Sequence, residues 1–321
     1  MKLSVKTSLP EPFDFHLTVG HQTHFRGRAG ADLYADGTYY RALRCGNKII
    51  VAAASPVDDD NLEVRVLSAG GERELEFANN AMRHLLALDI DLSGFYSMLE
   101  HDQGLSAAVG RLYGLRPPRS ESVFEALVVA IIGQQISANV AGVIREGLVA
   151  AYGTRVQAEG NALYAFPSPE SLNNATPDDL RALKLSTRKV EYLQGVARRT
   201  LEGELEIERF TGMDNEEVIV ELTKVRGIGR WSAEWMLMRA LGRLDVLPAG
   251  DLALRRVVQE LYFDGAAITE LQLAAFAKER WAPYRGLATT YLFAYLRLQR
   301  LPKSGTALAP QDSAARGRER A

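Results

Sequence analysis

Cysteine is nearly absent: Cys45 is the one thiol in 321 residues. A single cysteine excludes internal disulfides, a cysteine-based zinc site and a cysteine-ligated iron–sulfur cluster. No apolar run approaches the length of a membrane span, and the opening Met1-Lys2-Leu3-Ser4-Val5-Lys6-Thr7 lacks a secretory core. Histidine is scarce as well. His16, His21 and His24 lie close in sequence, but with no cysteines beside them they read as surface or strand residues rather than metal ligands. An excess of basic residues is also missing, since 38 Lys and Arg face 40 Asp and Glu for a formal charge of −2. That balance counts against nucleic-acid binding by overall charge and leaves a local patch as the electrostatic route. Candidates for such a patch are Arg188, Lys189, Arg198, Arg199, Arg226, Arg230, Arg239, Arg255 and Arg256. A soluble protein in a reducing compartment is expected, cytoplasmic in a bacterium or nuclear in a eukaryote.

What is present is organised around Val225-Arg226-Gly227-Ile228-Gly229-Arg230-Trp231-Ser232 and the carboxylate Asp251 that follows. Residues 214–224 predict a helix. Asp214 can cap it, Glu216 and Glu217 suit its N-terminal dipole, and Val218, Ile219 and Leu222 recur at helical spacing. Gly227 and Gly229 end that helix in a turn almost free of side chains. A second helix is predicted over 230–241, with Trp231 and Trp235 one turn apart on one face. Leu247-Pro248-Ala249-Gly250 then delivers Asp251 to the mouth of a third helix, 252–261.

Two glycines around one apolar residue put bare backbone N–H groups at a helix N-terminus, where they can lie flat against a phosphodiester. The loop after the second helix places one acid at another helix N-terminus, where the dipole favours negative charge. Other readings fit parts of the same stretch. Gly227-x-Gly229 resembles the start of a dinucleotide fingerprint, and Asp251 falls 22 residues after Gly229. Ser232 stands where the third glycine belongs, however, and a helix precedes where a strand is required. A tight helix–helix turn with Asp251 as a mere cap and both tryptophans in a core explains each residue singly, but not the ordered set.

The ordered set resembles the helix-hairpin-helix, Gly/Pro-rich loop and aspartate signature of the DNA glycosylase superfamily. Trp231, Trp235 and the Leu247-Pro248-Ala249-Gly250-Asp251 loop resemble its alkylated-base branch, the DNA-3-methyladenine glycosylase II type. The single cysteine sets aside the iron–sulfur members. Ala130-Ile131-Ile132-Gly133-Gln134-Gln135-Ile136-Ser137 also resembles a family motif, whose turn carries the residue that plugs the base stack; Gln135 holds that position. Leu185-Ser186-Thr187-Arg188-Lys189 resembles the family too, although Lys184 stands where glycine is frequent, which leaves that turn's geometry open.

The resemblance implies a monofunctional enzyme of base-excision repair acting on double-stranded DNA with alkylated purines such as 3-methyladenine. Asp251 would be the catalytic carboxylate. An oxocarbenium-like transition state gains from such a charge near the sugar. Trp231, Trp235 and Tyr284 would line the base pocket, with Trp281 as an alternative that fits a core position as well, and cation–π contact would favour a positively charged base. Gly227, Gly229, Arg226 and Arg230 would hold the DNA. No cofactor is required by this chemistry. The family also implies a monovalent cation, Na+ or K+, on the main-chain carbonyls of Thr223, Val225 and Ile228. Lyase members carry an amine two residues after the second hairpin glycine, where this chain has Trp231. A non-catalytic helix-hairpin-helix DNA-binding protein and a helical interaction scaffold remain as other classes. Base release from methylated DNA separates the first from the enzyme, and a salt-dependent DNA titration tests the second.

The fold class expected is α+β. An N-terminal α/β domain of antiparallel strands, 1–90, which the resemblance makes non-catalytic, precedes a mostly helical two-lobed domain, 91–302, and a disordered tail, 303–321. The strands are expected at 13–19, 38–43, 48–53 and 62–66, with a covering helix at 79–88. Helices are expected from 91, over 102–114, at 126–132 after the capping box Ser122-x-x-Glu125, and over 138–151. Thr176-Pro177 starts another, and 276–299 holds two more. A monomer that does not touch membranes is expected.

Overall fold

The computed structural model describes residues 3–22, 30–68 and 70–300. His24 and the tail 303–321 therefore lie outside the described residues. Among these residues, β1 (Leu3–Ser8), β2 (Asp32–Ala35), β3 (Thr38–Cys45), β4 (Lys48–Asp58) and β5 (Asn61–Val66) form an antiparallel sheet in the order β1-β5-β4-β3-β2. The apolar run in β4 is continuous because the sheet is covered on both faces. Ile50, Ala52 and Ala54 face the helices α1 (Phe15–Gln22) and α2 (Glu72–Leu85), and Val51 and Ala53 face the other way. Strands buried on both sides lose the apolar–polar alternation that marks a half-exposed strand.

Two expectations shift here. Residues 13–19 were expected as a strand, but Phe15–Gln22 is a helix. The Asp14 carboxylate accepts the Leu17 N–H at 2.8 Å, and Phe15 and Val19, four apart, both enter the sheet core. An apolar residue at every second position includes pairs at i and i+4, so the two periods overlap over a short run. The covering helix begins at Glu72 rather than 79, where the Glu74 carboxylate accepts the Gly71 N–H at 2.8 Å.

The helical part begins with α3 (Ser93–Leu99) and α4 (Gln103–Val109). It continues through α5 (Val123–Gly133) and α6 (Ala138–Tyr152) into a hairpin of β6 (Thr154–Ala158) and β7 (Asn161–Ala165). No expectation covered this hairpin. Glu159 and Gly160 both take positive φ, +48° and +81°, which matches a two-residue turn with the twist of paired strands. Ala158, Leu163 and Ala165 pack on Tyr40, Ala42, Val51 and Ala53, so the hairpin is the cover of the sheet's second face. Glu159 at its tip receives hydrogen bonds from Tyr40 and Arg65, each at 3.1 Å.

After it come α7 (Pro169–Asn173), α8 (Pro177–Ala182), α9 (Thr187–Leu201), α10 (Ile207–Thr211), α11 (Asn215–Thr223) and α12 (Arg230–Arg239). The chain ends its described part with α13 (Leu252–Tyr262), α14 (Glu270–Trp281) and α15 (Arg285–Arg300). Two lobes result, as expected. One core gathers α5 to α12; the other joins α3 and α4 to α13, α14 and α15 from far along the chain. The chain leaves the second lobe at Arg116-Pro117-Pro118-Arg119 and returns after α12. Arg116 is fully buried at that crossing and donates to the carbonyls of Pro12 (2.9 Å), Pro10 (3.2 Å) and Ile90.

The helix α5 is apolar on nearly all sides and mostly buried, with Val129, Ala130 and Gly133 reaching the cleft described below. Ser122 caps it as expected, accepting the Glu125 N–H at 3.1 Å. Glu125 does not return the bond to complete the box. Its carboxylate accepts from the Glu121 N–H (2.9 Å) and pairs with buried Arg41 of β3 at 2.6 Å, with Glu121 and Asp32 beside it. A buried guanidinium needs such company, and burial with these three acids ties the sheet to α5. Lys184, the departure from glycine, keeps a left-handed φ of +66°, so the turn between α8 and α9 is retained without the residue that adopts it at least cost.

Candidate active site

The hairpin forms as the sequence predicts. Asp214 and Glu217 make a reciprocal capping box at the start of α11 (2.9 and 2.8 Å), and Val225 and Ile228 plug the turn into the first lobe's core. The two glycines differ in what they do. Gly227 has φ +94° and lies against the Tyr192 ring, where a Cβ would stand 2.2 Å from a ring carbon. Gly229 is the N-cap of α12 in extended conformation (φ −93°, ψ 174°), with open space where a Cβ would be. One glycine serves close packing and the other an unobstructed surface. Thr223 is the last residue of α11, and the carbonyl of Val225 accepts the Ile228 N–H at 3.0 Å. These are hard oxygen donors, the type an alkali cation takes.

The arginines of the hairpin are less free than their sequence suggests. Arg226 pairs with Glu191 at 2.8 Å, and Arg230 pairs with Glu216 and with Glu234 (3.0 Å). Arg239 lies half-buried in the wall of the cleft that Asp251 faces, beside Trp235; it donates to the Pro118 carbonyl at 2.9 Å, and burial lowers it to about 10. The expected basic patch is thus partly consumed by internal pairs, and the backbone N–H groups are left as the hairpin's unobstructed donors.

Asp251 caps α13. Its Oδ1 accepts the N–H groups of Ala253 (2.9 Å) and Leu254 (3.1 Å), and its Oδ2 accepts the Trp231 indole N–H at 3.0 Å. Three donors therefore fix the carboxylate in position at the border of the two lobes. It opens into a cleft of about 1380 Å³ lined from both lobes and from the sheet, by Trp231, Trp235, Phe293, Arg297, Gln135 and Asp32 among others. Trp231 lies against Gly133 and meets Trp235 edge-on at 5.7 Å. Trp235 is stacked on Phe293 (5.7 Å, 18°), with the Arg239 guanidinium 4.6 Å from its ring centre.

Two expected pocket residues fall elsewhere. Trp281 is fully buried in the second lobe, where its indole donates to Asp102 at 3.0 Å. Tyr284 packs on Phe95 and Gly94 at the start of α3 and does not line the cleft. Trp281, which the sequence left open between pocket and core, closes α14 in the core, and Tyr284 in the turn before α15 packs beside it on the second lobe. Phe293 takes the place expected of them, and Arg297 one turn further on was missed. Arg297 donates to His21 Nδ1 (2.6 Å) and to the His21 carbonyl (2.7 Å). Burial, with Arg239 and Arg145 nearby, lowers it to about 9. The helical spacing of Phe293 and Arg297 was legible; that this face meets Trp235 was not.

The turn between α5 and α6 stands on the opposite lip. Gln135 is exposed and holds φ +57°, while Gln134 before it donates to the Gly227 carbonyl (2.8 Å) and the Ser232 hydroxyl (3.0 Å). A hairpin, an aspartate-led helix across a cleft and a turn bonded to the hairpin form one geometry. A model described as the HhH-GPD superfamily base excision DNA repair protein matches residues 128–283, which contain all three. A solved 3-methyladenine DNA-glycosylase from Archaeoglobus fulgidus matches with a TM-score of 0.81 and 30% identity, covering 92% of this chain and 99% of that one.

The chain belongs to the HhH-GPD superfamily. It is similar to the DNA-3-methyladenine glycosylase of Bacillus subtilis, 27% identical over 90% of this chain and 96% of that protein. It is also similar to DNA-3-methyladenine glycosylase 2 of Escherichia coli, 29% identical over 88% and 94%.

The superfamily hairpin carries a titrating group in this chain. Glu234 of α12 is 5% exposed, and burial raises it to about 7 against the pull of Arg230, with Glu216 and Glu270 adding to the rise. A carboxyl held above its ordinary 4.5 keeps a proton that the unfolded chain has released. Stability should therefore fall as pH rises from about 4.5 to about 7, by at most about 3 kcal/mol. Glu234→Gln keeps an acceptor for Arg230 and removes the titration. Urea melts at pH 5 and pH 8 should show a smaller difference for the variant than for the parent; equal differences would refute the assignment.

Proposed function

We propose that this protein is a monofunctional DNA glycosylase that releases alkylated purines such as 3-methyladenine from duplex DNA, opening base-excision repair. The observation that carries this reading is the Asp251 carboxylate, fixed by three donors and facing a cleft walled by Trp231, Trp235 and Phe293. A base inside a duplex cannot reach such a cleft, so the nucleotide has to be flipped out, with Gln135 filling the gap it leaves. The N–H groups that open α12 after Gly229 hold the backbone beside the lesion. As the N-glycosidic bond loosens, positive charge gathers on the sugar, and the carboxylate stabilises it and orients the attacking water.

A purine alkylated at N3 or N7 already carries charge and leaves without a general acid, so one carboxylate suffices. Trp231 is the wall to which such a cation binds, because Trp235 is already engaged by Phe293 and Arg239. A protein that only binds DNA has no use for an acid aimed into an aromatic cleft, which disfavours the non-catalytic reading. The carbonyls of Thr223, Val225 and Ile228 would hold a monovalent cation, adding positive charge beneath the phosphate. The protein is proposed to act as a monomer on chromosomal DNA, in a bacterial cytoplasm or a eukaryotic nucleus.

The monofunctional part rests on Trp231, since an indole cannot form the imine that strand scission requires. Incubation with methylated duplex should yield free base and an intact abasic strand. Borohydride trapping followed by a denaturing gel, without heat or alkali, should give no protein–DNA adduct. An adduct together with a nicked strand would overturn the assignment. Absence of base release from any methylated duplex would remove the function itself.

A further inference from the structure

The turn that carries Gln135 is held from below by a lysine. Lys189, in the first turn of α9, donates from Nζ to the carbonyls of Ile132 and Gln134, both at 2.8 Å. These carbonyls lie at the C-terminal end of α5, where helix acceptors lack internal partners and the dipole favours a cation. Three residues along the same face of α9, Tyr192 supplies the ring on which Gly227 rests. Gln134 closes the loop by donating to the Gly227 carbonyl at 2.8 Å. One helix face therefore supports both the hairpin and the turn opposite it, and Lys189 is the member that holds the turn.

We propose that Lys189 is a positioning residue for base flipping. By fixing the carbonyls of Ile132 and Gln134, it holds the left-handed Gln135 at a set distance from the hairpin, so that gripping the backbone and filling the vacated stack occur in register. The inference rests on the proposed flipping role of Gln135 and adds the group that aims it. The Lys189 ammonium reaches no part of the substrate cleft directly, since Trp231, Trp235 and Asp251 line it and Lys189 does not. Its influence must pass through the turn. Losing both bonds frees a turn whose central residue already sits at φ +57°, a conformation that a non-glycine side chain leaves readily when its supports go.

Two measurements test this on the full-length protein. In single-turnover assays on a duplex with 7-methylguanine opposite cytosine, Lys189→Met should release base about tenfold more slowly or worse, as a misplaced positioning group does. Opposite an abasic site, where the lesion needs little help to leave the stack, the variant should work nearly as fast as the parent. Lys189→Arg keeps two donors and should recover most of the rate. A general folding defect would slow both substrates alike, and that result, or an undiminished rate on the paired lesion, would overturn the proposal.

The second measurement needs no catalysis. With 2-aminopurine beside an abasic analogue, saturating parent protein should raise the fluorescence as Gln135 enters the stack. Lys189→Met should lose most of that rise while still binding the duplex, and Gln135→Ala should lose it too. A full rise in Lys189→Met sinks the positioning role. Because this readout is independent of base release, it still decides the role of Lys189 if the protein proves inactive on every lesion.

Discussion

Replacing Asp251 by asparagine is expected to lower base release at least about 10²-fold while leaving the affinity for lesion-free and abasic duplexes close to the parent's. The substitution is a clean probe because the side chain has two separable jobs. Its Oδ1 caps α13 through the N–H groups of Ala253 and Leu254, and an asparagine oxygen can take both bonds. The fold should therefore survive. Its Oδ2 accepts from the Trp231 indole at 3.0 Å, and there the amide presents a second donor, so that bond is lost and Trp231 is less well held. What disappears entirely is the negative charge facing the cleft. Since the sugar becomes positive only as the bond breaks, the loss should fall on the chemical step rather than on binding. Single-turnover rates on methylated duplex, beside a titration with an abasic analogue, check both halves. A variant that keeps more than about a tenth of the rate would remove Asp251 from the chemistry, because charge stabilisation of this kind is worth more than that.

The site was legible in the sequence to different depths. The hairpin and the aspartate-led helix were read nearly whole, because capping acids, paired glycines and helical spacing are local signals that act over a few residues. Asp251 at the start of α13 follows from its own neighbours and needs no knowledge of the fold. The pocket wall is another matter. Tyr284 was expected there as an aromatic, with Trp281 left open between pocket and core, but Trp281 is enclosed with Asp102 in the second lobe and Phe293 takes the wall. Which face of α15 meets α12 depends on how the second lobe assembles from two distant stretches of chain, and no local pattern encodes that. The β6–β7 hairpin was missed for a similar reason: its strands are short and its purpose, covering the second face of the sheet, exists only once the sheet is built. Charge was legible only in part: Arg226 and Arg230 are exposed as a basic patch requires, but each has an acidic neighbour, Glu191 for one and Glu216 and Glu234 for the other, that no local pattern announces.

The two hairpin glycines should respond differently to alanine. Gly227→Ala forces a side chain into a positive-φ residue and drives its Cβ to 2.2 Å from the Tyr192 ring, a separation at which something must move. Backbone strain and overpacking each cost about 1–3 kcal/mol, so the variant should lose about 2–6 kcal/mol of stability and, with a displaced hairpin, its grip on every duplex. Gly229→Ala meets neither obstacle. Its φ of −93° suits any residue, and nothing lies within 4 Å of the added methyl. Its stability should fall by no more than about 1 kcal/mol, the order of the difference between glycine and alanine at an N-cap. The methyl instead projects from the N-cap of α12 into the space where a phosphate would approach the bare N–H groups, so binding should weaken there without any loss of fold. Phosphate contacts carry no sequence information, which means the loss should be equal for lesion-bearing and lesion-free DNA. Urea melts and duplex titrations on the pair separate packing from recognition. If Gly229→Ala binds all duplexes as tightly as the parent, the hairpin is not where the backbone is held. If it loses affinity for damaged DNA alone, the turn touches the lesion rather than the phosphate. A Gly227→Ala protein as stable as the parent would show that Tyr192 yields, and with it the rigidity on which α9 aligns hairpin and wedge.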